Sequence, residues 1–73
     1  MNMKKQWVIK IGNDWFAGFG PKHVVWTAWF ERDAELYTAV GAQQTTLHLI
    51  KLGHENVTYL KVGDDYGSNA VGA

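Results

Sequence analysis

The sequence predicts a single small α+β domain, in which an antiparallel sheet is covered on one face by one or two short helices. Apolar and polar residues alternate over residues 6–28, as in strands, and the apolar spacing lengthens to three and four over residues 29–53, as in helices. Strand composition returns over residues 57–62. The predicted order is therefore β-β-β-α-α-β within a domain of residues 1–62, and we expect a flexible tail over residues 63–73.

A β-hairpin is predicted at the start of the chain. Residues 6–11 alternate apolar and polar positions, and residues 12–14, Gly-Asn-Asp, supply turn chemistry. An aromatic run over residues 15–19 then forms the second strand. Proline donates no hydrogen bond to a sheet ladder, so Gly20-Pro21 ends this strand.

The length of the hairpin loop decides which rings are buried, because a shift of one residue exchanges the two faces of a strand. A two-residue loop places Phe16 on the face of Ile9 and Ile11. A three-residue loop places there instead Trp15, Ala17 and Phe19. The sequence leaves both alternatives open.

A third strand and a short helix follow the hairpin. Residues 24–28 have the β-branched and aromatic content of a strand. From Trp29 the apolar side chains recur at the spacing of a helix face, at Phe30, Ala34 and Tyr37. Acidic residues near the start of this segment suit the positive end of a helix dipole. We expect a short helix over residues 29–37.

Residues 38–53 fit two interpretations. As a helix, the segment is capped by Thr38 and ends just before Gly53. Its inward side chains are then Ala42, Thr46, Leu49 and Ile50. As a strand, residues 45–52 alternate and lead through a hairpin loop into the next strand. The end signals favour the helix, although its glycine and threonines are poor helix formers.

Composition limits the classes of function. The formal net charge is zero, which argues against a DNA mimic and against a dedicated polyanion binder. Four lysines accompany one aspartate in residues 1–30, whereas three cations accompany six carboxylates in residues 31–73. This layout favours head-to-tail contact or a basic hairpin facing an acidic partner, and it also fits ordinary solvated faces. Without cysteine, stability must come from apolar burial, from pairing with a second copy, or from both.

The sequence lacks the residue patterns of catalysis and of metal binding. His23, His48 and His54 are scattered, and no two of them have the i, i+4 spacing of a zinc helix. Ser68 is the single serine and lies in the expected tail, while the carboxylates belong to solvated segments rather than to an apolar pocket. We therefore expect no enzyme activity and no bound metal or cofactor.

No membrane association is predicted either. Residues 6–11 form the first apolar stretch, which is too short for a signal sequence or a membrane span and is interrupted by Lys10. The absence of cysteine agrees with a cytoplasmic location.

The aromatic residues crowd into residues 7–30, and strand alternation prevents them all from facing one side. Rings on a face away from the helices would form a surface of the kind that binds proteins, either a host protein or a second copy in a homo-oligomer. The six residues of this interface hypothesis are Trp7, Trp15, Phe16, Phe19, Trp26 and Trp29. The alternative is that a small core simply needs large side chains.

A second hypothesis is binding of single-stranded nucleic acid, because rings stack on bases and nearby lysines attract phosphates. Its residues are Lys4, Lys5, Lys10, Lys22 and Trp15. An exposed Trp15 or Phe16 beside Lys10 would favour it.

The order of the strand and helix signals along the chain resembles that of a group of very small proteins encoded by bacteriophages and prophages of Gram-positive bacteria. The resemblance spans residues 6–62 and lies in core positions. They are the strand Trp7-Val8-Ile9-Lys10, the strand Trp15-Phe16-Ala17-Gly18, the pair Ala34 and Tyr37 followed by Ala42, and Leu52-Gly53 before the last strand. Proteins of this group have no assigned activity, so the resemblance implies a non-structural accessory protein of the host cytoplasm and supplies no site residue.

Overall fold

The computed structural model describes residues 4–62. The elements are the strands β1 (Trp7–Ile11), β2 (Asp14–Phe19), β3 (Val25–Ala28) and β4 (Val57–Lys61), the helix α1 (Ala39–Lys51), and two 3-10 turns, Pro21–His23 and Glu31–Asp33. The strands form one antiparallel sheet in the order β3-β2-β1-β4. The α+β class is confirmed, but residues 4–62 contain one α-helix, so the order is β-β-β-α-β. The tail expected over residues 63–73 lies outside the described residues.

The loop between β1 and β2 contains two residues, Gly12 and Asn13, because Ile11 pairs with Asp14 across the hairpin. Gly12 has a φ of 61°, and no positive φ occurs at Asn13. A glycine of positive φ at the first central position is the signature of a type II′ turn, which suits the twist of paired strands. The two-residue loop turns Phe16 toward the core.

Signals at both ends define α1. The Oγ1 atom of Thr38 accepts a hydrogen bond from the backbone N–H of Gly41 at 3.1 Å. At the other end Gly53, with a φ of 103°, and the residue after it donate their N–H groups to the last carbonyls of the helix, as in a Schellman motif. The helix interpretation of residues 38–53 is confirmed, and the strand interpretation of residues 45–52 is wrong. Neither α1, at 13 residues, nor another described helix is long and apolar enough to cross a membrane.

The core lies between α1 and one face of the sheet. Its fully buried members are Ile9, Phe16, Ala42 and Leu49. Thr46 is also buried, as the helix predicted, whereas Ile50 is 49% exposed and does not face inward. Ile50 lies about 100° around the helix from Leu49, which takes it off the buried stripe.

The face of the sheet away from α1 also buries side chains. Val8 is fully buried and Trp15 is 9% exposed, and strand alternation places both opposite to their core-facing neighbours. The Nζ atom of Lys10, on the same face, lies 5.3 Å from the centre of the Trp15 ring. The turn Glu31–Asp33 packs against β2. Parts of both faces of the sheet are therefore buried. Fewer rings are exposed than if only the face toward α1 were covered.

Residues 29–37 do not form the predicted helix. Within them, Glu31–Asp33 makes a 3-10 turn that begins without a side-chain cap, and Ala34 after it is extended. Nucleating a helix fixes several dihedral angles for a single hydrogen bond, so a segment of this length needs tertiary support to become helical. The tertiary hydrogen bonds available to it favour an extended backbone instead.

Those hydrogen bonds place residues 35–37 in a gap between β1 and β2. The two strands pair only near their loop. Beyond that point the N–H of Glu35 donates to the carbonyl of Phe16 in β2 at 3.1 Å. Tyr37 and Trp7 of β1 exchange two backbone hydrogen bonds, at 2.8 and 2.9 Å. The segment satisfies backbone groups of both strands, and this outweighs the local helical spacing.

Tyr37 also fixes this segment through its side chain. Its ring stacks on Phe16 with the centroids 6.2 Å apart, and its hydroxyl donates to Oε1 of Glu35 at 3.2 Å. Burial, followed by the negative charge of Glu35, holds the pKa of Tyr37 well above its ordinary value. The phenol therefore stays protonated, and remains a hydrogen-bond donor, in the alkaline range where a free tyrosine ionises.

Thr46 supplies a test of the packing of α1. Its Oγ1 atom is buried and has no hydrogen-bond partner among the described residues, and a buried polar atom without a partner lowers stability. We expect Thr46→Val to raise the free energy of unfolding by about 1 kcal/mol, because the valine keeps the shape and removes the hydroxyl. Urea denaturation measures the change. Thr58→Val on exposed Thr58 is the control and should change little; a loss of stability in Thr46→Val would contradict the packing described.

Candidate functional site

The rings with the largest exposed fractions among residues 4–62 lie on β3 and just after it. Trp29 is 82% exposed, and Trp26 and Phe30 are each 53% exposed. We call the surface of these three residues the aromatic edge, because β3 is the outer strand of the sheet on this side. Large rings in water are unusual on a domain this small, and clusters of them mark binding surfaces.

The position of Trp26 depends on the absence of a side chain at Gly20. A Cβ atom built at Gly20 would lie 2.6 Å from two atoms of the Trp26 indole, which is closer than real Cβ contacts. The indole therefore rests against the bare backbone at the end of β2. Trp26 pairs with Gly18, next to an irregularity in register between Phe16 and Gly18. The ring is held at the edge by backbone contact while half of it remains in solvent.

Trp29 and Phe30 follow β3 at a bend of the chain. The guanidinium carbon of Arg32 lies 4.6 Å from the centre of the Phe30 ring, a cation–π contact at the surface. No charged residue occurs in residues 24–30. Charges stand instead at the two ends, with exposed Lys22 before β3 and exposed Asp33 after it. The aromatic edge is an uncharged strip with a basic end and an acidic end.

The six residues of the interface hypothesis do not share one surface. Trp26 and Trp29 belong to the aromatic edge. Phe16 has no exposed surface, and Trp15 presents 9% of its surface to solvent. Phe16 and Trp15 are therefore packing residues, and neither contributes to an exposed binding face.

Trp7 and Phe19 lie on the helix side of the sheet, and both rings are partly exposed. Phe19 is 39% exposed, and its ring meets those of Phe16 and His48 edge-on, at 5.0 and 5.6 Å between centroids. Trp7 is half-buried with its ring 5.7 Å from that of Tyr59. Both rings contact their own domain and border the core.

Phe30 is the most exposed of the described rings that the interface hypothesis did not include. The predicted helix over residues 29–37 assigned Phe30 to a buried helix face, and without that helix it faces solvent. The sequence did contain a signal for this exposure. Trp29 and Phe30 are adjacent, and neighbouring residues do not lie on the same face of a helix or a strand.

The residues of the nucleic-acid hypothesis are divided between two ends of the sheet. Lys4 and Lys5 precede β1 at the end where Lys22 lies in the β2–β3 turn, whereas Lys10 lies near the β1–β2 loop. Trp15 is buried beneath Lys10. The condition that would favour base stacking, an exposed Trp15 or Phe16 beside Lys10, is not met.

The described residues hold no group of three or more histidine, aspartate or glutamate side chains placed to share a metal ion. His48 lies against the ring of Phe19, and His23 is exposed in the β2–β3 turn with a φ of 63°. The described residues thus offer no metal site, and their most exposed rings are those of the aromatic edge.

No protein-family model, no curated protein and no solved structure matches the chain.

Proposed function

We propose that this protein is a non-enzymatic accessory protein that acts by protein–protein interaction through the aromatic edge, either by self-association or by binding a host protein. The single observation that carries the proposal is the exposure of Trp26, Trp29 and Phe30 on one sheet edge. Tryptophan is over-represented among the residues that contribute most to protein–protein binding energy. The resemblance to phage and prophage accessory proteins supports the same class of function in a host cytoplasm.

The energetics of burial favour this use of the surface. Covering apolar area releases roughly 25 cal/mol for each Å² removed from water, and an aromatic side chain buries about 150–250 Å². The ring of Trp26 is already held against Gly20, so a partner that covers it need not order it again. Trp26 therefore supplies an anchor at low entropic cost.

Single-stranded nucleic-acid binding is the weaker candidate. The ring that would stack on bases, Trp15, presents 9% of its surface, and Lys10 lies over it. Stacking needs an open ring face beside the cation. The aromatic edge itself has no lysine within residues 24–30.

Capture from a bacterial lysate tests the proposal. The lysate also receives a differently tagged copy of the chain. The immobilised full chain should retain either that copy or a defined protein of the lysate at near-stoichiometric amount. The double variant Trp29→Ala/Phe30→Ala should lose the retained partner with an affinity decrease of about 30-fold or more. The matched control is Val40→Ala/Leu47→Ala, which removes exposed apolar side chains from the outer face of α1 and should retain the partner.

Equal retention by wild type and the Trp29→Ala/Phe30→Ala variant would refute the proposal. Titration with single-stranded oligonucleotides at low salt distinguishes the second candidate, since base stacking on exposed indoles would quench their fluorescence. Strong quenching that the same double variant abolishes would assign the aromatic edge to nucleic acid instead.

A further inference from the structure

We infer that the partner of the aromatic edge is a second copy of this chain, paired with the outer side of β3 in antiparallel orientation so that the sheet continues across a two-fold axis. The inference rests on the proposed function and identifies its partner. Three features of β3 lead to it: its free backbone groups, its lack of the residues that block strand pairing, and the charges at its ends.

The first feature is the set of backbone groups on the outer side of β3. The carbonyl of Val24 faces β2, where it accepts a hydrogen bond from the N–H of Gly20 at 2.6 Å. Backbone groups alternate in direction along a strand, so the N–H and C=O of Val25 and Thr27 face outward. Within residues 4–62 no segment pairs with this side. The outer side of β3 thus presents the donor and acceptor pattern that another strand completes.

The second feature is the lack of charged residues and of proline on β3. Edge strands that remain unpaired usually carry charged residues, especially lysine, or proline. Residues 24–30 contain neither, and Thr27 is the one polar side chain among them. The other edge strand, β4, carries Lys61 within the strand. The two edges of the same sheet therefore differ, and β3 is the edge strand that contains no charged residue and no proline.

The third feature is charge, which selects both the partner and the direction of pairing. Exposed Lys22 precedes β3 and gives the strip its basic end. After β3, Arg32 lies over the ring of Phe30, and one carboxylate oxygen of Glu31 is buried. Exposed Asp33 therefore gives the strip its acidic end. In an antiparallel pair, the basic end of each copy lies beside the acidic end of the other, and both ends match at once. A parallel pair would place like charges together. The strip is self-complementary in the antiparallel direction, as an interface between identical surfaces requires.

The experiment measures the mass of the full chain in solution as a function of concentration, by sedimentation equilibrium. The wild type should approach twice the 8.2 kDa of one chain. Thr27→Lys places two lysines near the two-fold axis and should weaken the dimer roughly fivefold or more. Thr58→Lys is the matched control, since Thr58 is also an exposed threonine of an edge strand, and it should leave the dimer unchanged.

Charge reversal tests the direction. Lys22→Glu should weaken the antiparallel dimer at low salt, and adding Asp33→Lys in the same chain should restore it, because each copy then carries an acidic start and a basic end. Circular dichroism of each variant establishes that it is folded. A dimer strengthened by Lys22→Glu alone would overturn the antiparallel arrangement.

A wild-type chain that stays monomeric up to near-millimolar concentration would overturn the inference, as would a dimer that Thr58→Lys weakens and Thr27→Lys does not. If that monomer still retains a foreign protein that Trp29→Ala/Phe30→Ala releases, the proposed function stands and only the identity of the partner is wrong. If neither self-association nor capture depends on the aromatic edge, both proposals fall.

Discussion

Phe16→Ala should lower the free energy of unfolding by about 3–5 kcal/mol, the largest loss expected from a single substitution in this chain. Phe16 is fully buried between the sheet and α1 and contacts the rings of Phe19 and Tyr37. Truncation removes the burial of a whole ring and leaves a cavity among residues that pack around it. A chain of 73 residues has a free energy of unfolding of roughly 4–11 kcal/mol, so this substitution should remove between about a quarter and all of it.

Phe30→Ala is the matched control for Phe16→Ala, because it makes the same chemical change at a position that is 53% exposed. It removes a surface cation–π contact with Arg32 and should change the free energy of unfolding by less than about 1 kcal/mol. Urea denaturation followed by circular dichroism measures both variants. Similar losses for the two would mean that Phe16 is not the centre of the core.

Gly18→Ala should lower the free energy of unfolding by about 2–3 kcal/mol, because Gly18 has a φ of 126°, which side-chain-bearing residues rarely adopt. The new Cβ would also lie 2.9 Å from Oε1 of Glu35, the residue that enters the gap between β1 and β2. Gly12→Ala should cost less, about 1–2 kcal/mol, since its φ of 61° is in the left-handed region and nothing lies within 4 Å of its Cβ position. Thermal and urea unfolding compare the two.

The double variant Gly18→Ala/Glu35→Ala separates the two causes. The carboxylate of Glu35 is the end of an exposed side chain, and it also accepts the hydrogen bond of Tyr37. The double variant is therefore compared with Glu35→Ala alone, and Gly18→Ala should still cost about 2–3 kcal/mol in that background. The absence of that cost would show that the steric contact, rather than the backbone conformation, requires glycine at this position.

The sequence predicts the regular elements of this fold well where the signals are local. Thr38 and Gly53 mark the two ends of α1, and their cap hydrogen bonds form as those residue types predict. The hairpin and the fourth strand follow from alternation and turn residues in the same way. The sequence does not predict which face of β2 is buried, because that depends on whether the hairpin loop contains two or three residues. The positive φ of Gly12 belongs to the two-residue loop of the structure.

The segment over residues 29–37 shows where local signals fail. Its helical spacing is real, but the hydrogen bonds that determine its conformation join Glu35 to Phe16 and Tyr37 to Trp7, across 19 to 30 positions of sequence. No local pattern encodes a partner that distant. Because a helix was predicted there, the exposure of Phe30, and with it the extent of the aromatic edge, was missed. The general expectation that some rings must be exposed follows from strand alternation alone.

The insertion of residues 35–37 between β1 and β2 also determines how this small domain comes apart. A hairpin ordinarily frays from its open ends, and the amides there exchange with solvent without disturbing the rest of the molecule. Here the N–H of Trp7, five residues from the loop, is held by the chain that leads directly into α1. Releasing it requires the helix entry to move as well, so we expect the hairpin and the helix to open as one cooperative unit. Slow hydrogen exchange at Trp7 would then report the unfolding of the whole domain.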